Sequence, residues 1–358
     1  MAETQIGLST EFISHPGDTL LELLEQYNIS QKELALKTQT SETQINLIIN
    51  GKKGISVQFA KKLENVLKPK ASFWINRQNI YDEKMESIRI RENITDEEKK
   101  AYKCFPIKNL IALGYLEDKR NEIENILTLR KFASLSNLLQ TKEVLACVLP
   151  KIAFRMDKTC KSIDHYKLYS WLRICQIQTD FISNPNEFDL NKLKSSLNEI
   201  KKCSNTDNIQ ESIDKVTNIL YQCGINYRVV ESLPSLPVKG YIKTVNNKIS
   251  LCTTIRGKFE DGFWFTLFHE LGHLLSKRND SAFVDLSDED NANDFARNRL
   301  ISESSYKDLI TSGINEQSIK RCAIKNDICP AIVVGRLQND KKIKYSEYNY
   351  LRRKIISN

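Results

Sequence analysis

Apolar residues recur with helical spacing in three parts of this chain. Between Gly17 and Tyr27, Leu20, Leu21, Leu23 and Leu24 mark one face of a helix. Ser30-Gln31-Lys32-Glu33 has the form of a capping box and opens a second helix. Thr38-Gln39-Thr40 breaks the pattern. Ser41 then caps a third helix, from Glu42 to Asn50, whose packing face is Ile45, Ile48 and Ile49, and Gly51 closes it where left-handed backbone is easiest for glycine. Farther on, Phe263, Trp264, Phe265, Leu267, Phe268, Leu271, Leu274 and Leu275 leave almost no polar face, so the helix they form belongs in a core. A third run, Ala292, Phe295 and Ala296, gives an acidic stretch one apolar side. Residues 84–220, rich in Leu, Ile, Lys, Glu and Asn and punctuated by Pro106, Gly114, Pro150 and Pro185, predict several further helices.

The core helix carries its polar groups in one pattern, His269-Glu270-Leu271-Gly272-His273, which uses two of the four histidines in the chain. Residues four apart share a helix face, so His269 and His273 present ring nitrogens to a single ion. Two imidazoles and a carboxylate buried without a cation are costly, and a cation satisfies all three. Glu270 stands beside that ion, where a carboxylate takes a proton from the attacking water and passes it to a leaving amine. The ordinary alternative is a chance H-E-x-x-H in a core helix. Gly272 leaves space for another backbone or a substrate to come close. A peptidase site of this kind takes a third protein ligand and leaves a fourth position open. Glu289, sixteen residues beyond His273, lies one turn before Asn293, so both can point to one side, with Glu289 on the ion and Asn293 hydrogen-bonding one of its ligands. Asp288 and Asp290 are its rivals, although the helix dipole alone favours acids there. Zinc is the expected metal and manganese the alternative. Cys252 competes as a fourth ligand against a small buried apolar role. His165, with no acid or cysteine pattern around it, reads as a structural or surface histidine.

Near the other end, two short helices joined by a tight turn follow the helix-turn-helix plan, in which the second helix enters the major groove of DNA. Ser41, Glu42, Thr43, Gln44 and Asn46 offer polar groups there, and the amide of Gln44 suits adenine. Lys52 and Lys53 suit phosphates, and Gln31 can bond another. Residues 1–50 hold seven acids and two lysines whereas 51–70 hold six lysines and one glutamate, so a binding surface is local. The competing reading is a small helical interaction domain with solvated polar faces.

His15-Pro16-Gly17, Ser30-Gln31-Lys32-Glu33-Leu34-Ala35, Asn50-Gly51-Lys52 and Ala71-Ser72-Phe73-Trp74-Ile75-Asn76-Arg77-Gln78 resemble the HigA-type antitoxins of the XRE repressor class, in order and spacing over residues 13–83. That resemblance implies a five-helix DNA-binding domain that dimerises on an operator, and a toxin among its partners. The His269 to His273 motif, Glu289, Ala292, Asn293 and Phe295-Ala296 resemble the ImmA/IrrE metallopeptidases. The likeness extends back to Gly240-Tyr241-Ile242 and Lys248-Ile249-Ser250-Leu251, forward to residues 330–338, and to Trp171-Leu172-Arg173 in the helical lead-in. It implies a thermolysin-like fold with two histidines and a glutamate on zinc, and a narrow substrate, often an XRE-type repressor. This chain departs from the family pattern at Asn291, where a second acid is common, and at Ser276-Lys277-Arg278.

Composition fits this plan. The chain has 358 residues, 41% of them hydrophobic, and a net charge of +8, enough for several cores and compatible with nucleic acid. No apolar run approaches a membrane span and no signal-peptide core is visible, so a cytoplasmic protein is expected, its nine cysteines reduced and none in a C-x-x-C pair. Lys341, Lys342, Lys344, Arg352, Arg353 and Lys354 read as a solvated basic tail, with DNA phosphates as the alternative. The expected fold is multidomain: an all-α helix-turn-helix domain at 1–83, a charged helical linker at 84–100, a helical lead-in at 101–220, and a mainly helical α+β zincin-like peptidase domain with a small sheet at 221–358. The expected function is a homodimeric DNA-binding regulator with zinc-dependent endopeptidase activity. It would cleave a repressor, a partner or itself within 84–100, to control a stress, phage or toxin-antitoxin operon. An extended substrate is expected to add to an edge at Lys248 to Leu251. The alternative is an antitoxin that binds operator DNA and a toxin and keeps the peptidase fold as sensor or scaffold.

Overall fold

The computed structural model describes residues 13–149, 152–156 by their backbone, 163–245, 247–255, 259–276 and 288–355. Pro150, Cys160, Lys277, Arg278 and the side chain of Asp288 lie outside the described residues. The chain forms two compact units, Met1–Asp96 and Glu97–Asn358.

Among its described residues the first unit has five helices: α1 (Pro16–Tyr27), α2 (Gln31–Lys37), α3 (Glu42–Ile49), α4 (Val57–Val66) and α5 (Ala71–Glu92). Leu20, Leu34, Ile45, Ile48, Leu63 and Trp74 close a fully buried core among them. Ser30 and Ser41 cap α2 and α3 by accepting from the N–H groups of Glu33 and Gln44. The reciprocal half of the expected box at Ser30 is not made, because the Glu33 carboxylate turns outward to Lys37 at 2.8 Å. A complete box forms instead at α1, where Gly17 N–H donates to His15 Nδ1 and His15 N–H donates to Asp18. Gly17 is required there for a steric reason: a Cβ would lie 2.0 Å from the Ile48 carbonyl oxygen at the end of α3. Gly17→Ala should therefore destabilise this unit by about 2 kcal/mol, read as a lower midpoint in thermal or urea unfolding; an unchanged midpoint would show that α1 and α3 can separate freely. The Phe-Trp-x-Asn-x-Gln segment also has structural work, with Trp74 in the core and Gln78 Oε1 accepting from Ile55 N–H at 2.8 Å in the α3–α4 connection.

The boundary between the units falls inside the expected linker. α5 continues unbroken to Glu92 in the first unit, and α6 (Asp96–Cys104) leads into the second, so the non-helical stretch is only 93–95. Nor does every charged residue of 84–100 face solvent. Glu98 is fully buried; burial raises its carboxyl, and hydrogen bonds from Arg130 and Leu138 N–H outweigh that and hold it below the usual range.

The second unit joins the lead-in and the 221–358 region in one body. It continues with α7 (Ile107–Ala112), α8 (Glu122–Ala133), α9 (Thr141–Val148), strand β1 (Ile152–Met156), α10 (His165–Asp180), α11 (Leu190–Lys202) and α12 (Ile209–Gln222). Strands β2 (Ile225–Val230), β3 (Val238–Val245) and β4 (Lys248–Thr254) follow, then α13 (Glu260–Ser276), α14 (Asp288–Leu300), α15 (Glu303–Thr311), α16 (Glu316–Lys325) and α17 (Pro330–Asn339). The four-stranded sheet has the order β1-β3-β4-β2, parallel only between β4 and β2. Successive residues point to opposite faces. Ile242 and Leu251 join the core that holds Leu267 and Leu271 of α13. On the other face, Tyr241 packs edge-on against Trp171 of α10, and Cys252 Sγ lies 3.9 Å from the Cys175 carbonyl oxygen. Helices thus cover both faces of a small sheet. β4 has a bonded neighbour on each side, so the expected addition of a substrate strand at Lys248 to Leu251 is ruled out, and the sheet's edges are β1 and β2. Among the described residues, no helix is long and apolar enough to cross a membrane.

The basic cluster near residue 350 corrects another expectation. Lys341, Lys342, Lys344 and Lys354 are exposed, but Arg352 forms a bidentate pair with Asp261 at 2.8 and 2.9 Å. Arg353 grips Glu260 and the carbonyls of Ser204 and Thr206. These two arginines clamp the first turn of α13.

Candidate metal centre and nucleic-acid interface

α13 lies across the core, and the side chains of its polar motif are enclosed: His269 and Glu270 are 0% exposed and His273 is 3% exposed. Gly272 lets α14 come close, since a Cβ there would meet Phe295 Cδ1 at 3.0 Å and Ala292 Cα at 3.3 Å. The close partner is therefore a helix. With Ala292 and Ala296 buried against α13, Glu289 on the first turn of α14 reaches the histidines. His273 Nε2 is 3.0 Å from His269 Nε2 and 3.2 Å from Glu289 Oε1, and His269 Nε2 is 3.4 Å from Glu289 Oε2. Nitrogen and oxygen ligands held about 2.0–2.1 Å from a tetrahedral ion stand about 3.3 Å apart, so the three groups already have the edge lengths of such a site.

The protons fit as well. Asn293 Oδ1 accepts from His269 Nδ1 at 3.0 Å, which leaves the lone pair of His269 on Nε2, facing the other two donors. With protons on the imidazoles instead of an ion between them, burial would still raise the Glu289 carboxyl, but hydrogen bonds and charge from His269 and His273 would hold it well below the usual carboxylate range. Asp290 and Asn291 are exposed and outside the cluster. Cys252 faces α10 on the opposite side of the sheet, and His165 is an exposed residue at the start of α10. Two imidazoles and a carboxylate brought together in this way could hold a divalent cation.

Gly240 also belongs to the site. A Cβ at this β3 position would stand 2.0 Å from Glu270 Oε1, so the glycine leaves the space that the Glu270 carboxylate fills. The available signal was a lone glycine inside a strand, which marks close approach of another group.

In the first unit, Glu42, Thr43 and Asn46 are exposed along one side of α3, and Lys52 and Lys53 are exposed just beyond it. Gln31 and Gln44 are half-buried. Ser41 uses its hydroxyl as the helix cap, and Asn46 Oδ1 accepts from Asn50 Nδ2 at 3.0 Å.

Residues 20–71 match the helix-turn-helix family model, and with the five-helix arrangement this defines the first unit as a DNA-binding domain of the XRE type. Among solved structures, the chain is similar to an addiction module antidote protein of the HigA family from Coxiella burnetii. The two are 28% identical over 23% of this chain and 96% of that one, with a TM-score of 0.21. No curated protein matches the chain.

Proposed function

We propose that the chain is a DNA-binding regulator whose second unit is a zinc-dependent endopeptidase of the ImmA/IrrE kind. The observation that carries this reading is the convergence of ligand atoms of His269, His273 and Glu289 within 4.8 Å of one another, beside a fully buried Glu270. Three protein ligands leave a position for water or substrate, whereas structural zinc sites usually take all four from protein. Zinc, or manganese in its place, supplies when bound a Lewis acid that polarises the scissile carbonyl and acidifies water. Glu270 takes the proton of the attacking water and returns it to the leaving amine. Gly240 gives that carboxylate room, and Asn293 fixes the proton of His269 on Nδ1.

The first unit brings the chain to an operator as a homodimer, with Glu42, Thr43 and Asn46 toward base edges and Lys52 and Lys53 toward phosphates. The substrate is an XRE-type repressor. A partner fits better than the chain's own 84–100 stretch, because peptidases take extended segments and all but 93–95 of that stretch is helical. The eight described cysteines are free, in keeping with a reducing cytoplasm.

Elemental analysis of the purified chain should return about one zinc or manganese per molecule, lost in His269→Ala and in Glu289→Ala. A chain that stays metal-free after reconstitution would sink the peptidase reading. It would leave a DNA-binding regulator with a scaffold, and a toxin partner would then be the next binding test.

A further inference from the structure

A cavity of about 200 Å³ lies among α13, α14 and α17, with Phe265, Thr266, Leu300, Ile332 and Arg336 on its wall. Phe265, on its wall, is four residues before His269, and the two rings are 6.5 Å apart between centroids. Lys239, also on the wall, adjoins Gly240, whose backbone backs the Glu270 carboxylate. The cavity therefore lies one helical turn from a proposed metal ligand and one residue from the rest of the proposed base. A side chain flanking the bond under attack would come to such a place.

The lining is of two kinds. Phe265, Ile301 and Ile332 give it apolar walls, and Arg297 and Arg336 are among its basic residues. Those two arginines share one carboxylate. Asp340 accepts from Arg297 and from the Tyr306 hydroxyl at 2.8 Å, and stands 3.7 Å from Arg336 Nε. Arg336 donates from Nη1 to the carbonyls of Arg297 and Ile301, at 3.0 Å each, while its buried Nε has no hydrogen-bond partner among the described residues. Asp261 is on the wall, whereas Asp340 is not, and Asp261 is already committed to Arg352. Two guanidiniums against one carboxylate leave a positive charge over, and in a half-enclosed space that charge favours an anion and repels a cation.

We infer that this cavity is a specificity pocket that takes an acidic side chain, glutamate above others, from the peptide residue next to the scissile bond. The aliphatic stem of glutamate lies along Phe265 and Ile301, and its carboxylate meets the arginine end. Glutamine keeps the shape and loses the charge; lysine brings the wrong one. The inference rests on the peptidase reading, and its test has an arm that needs no catalysis.

In that arm, N-acetyl-glutamic acid amide and its glutamine and lysine counterparts are titrated by ligand-observed NMR onto the full zinc-loaded chain carrying Glu270→Gln. The glutamate probe should bind about tenfold tighter than the glutamine probe, the weight of one charge-assisted hydrogen bond. Arg297 has a side chain that is 37% exposed, so replacing it empties no core position. Adding Arg297→Gln should remove the advantage, and Arg297→Glu should turn it toward the lysine probe, a reversal that misfolding cannot produce. Equal binding of the probes, or an advantage untouched by Arg297→Glu, would overturn the pocket. In the second arm the zinc-loaded wild type cuts a proteome-derived peptide library, and glutamate should be enriched at one position beside the cut. Cleavage without that enrichment overturns the pocket and spares the peptidase. Probe binding with no peptide cut upholds the ligand class and overturns the peptidase.

Discussion

Glu270→Gln should lower hydrolysis of an XRE-type repressor by about two to four orders of magnitude while the metal content stays at the wild-type level. Glutamine has nearly the volume of glutamate, so the fully buried position remains filled and α13 keeps its packing. What is lost is a group that can accept a proton. Cleavage rates at matched metal occupancy are the measurement, and a variant within threefold of wild type would remove Glu270 from the chemistry. The same variant separates the two readings of the chain: as an antitoxin it would neutralise a toxin as well as wild type does, and as a peptidase it would fail to relieve repression.

Gly240→Ala should cost about a hundredfold in rate with the fold intact, the usual penalty for moving a reacting group by an ångström. The added methyl would meet the Glu270 side chain from Oε1, 2.0 Å away, back to Cγ at 2.7 Å, and since these nearest atoms are side chain, the carboxylate yields before any backbone does. Unfolding should keep its midpoint and elemental analysis its metal, while cleavage falls. An unchanged rate would mean that Glu270 does not act from where it rests. The pair is informative together because one variant removes the carboxylate and the other only displaces it.

The parts legible in the sequence are those governed by neighbours along the chain. Ser30, Ser41 and Gly51 could be read as helix signals because caps and left-handed turns are local events. The spacing of His269, His273, Glu289 and Asn293 was legible because helical periodicity alone puts these residues in rows. What escaped depended on contacts between distant segments. Gly17 is a glycine because of Ile48, and Gly240 because of Glu270. Arg352 and Arg353 read as solvated until their partners Asp261 and Glu260 are known. β4 is no edge because β2 and β3 flank it, and strand order is a property of the whole sheet; the edge beside β3 is β1. Its alternation of Ile152, Phe154 and Met156 was a usable signal, overridden by the helical composition around it. Glu33 shows the reverse limit: its spacing from Ser30 fits a capping box, and Lys37, one turn on, takes the carboxylate.

The proposed ligands are divided unequally between two helices, with both histidines on α13 and the carboxylate on α14. An ion held by all three would be a cross-link as much as a reagent. Its occupancy and the seating of α14 would then be a single linked equilibrium, so that each tenfold rise in free metal above the dissociation constant holds the helix pair together by a further 1.4 kcal/mol or about that. Metal supply would in this way govern the mechanical integrity of the unit, and a chelator would act on it first as a denaturant.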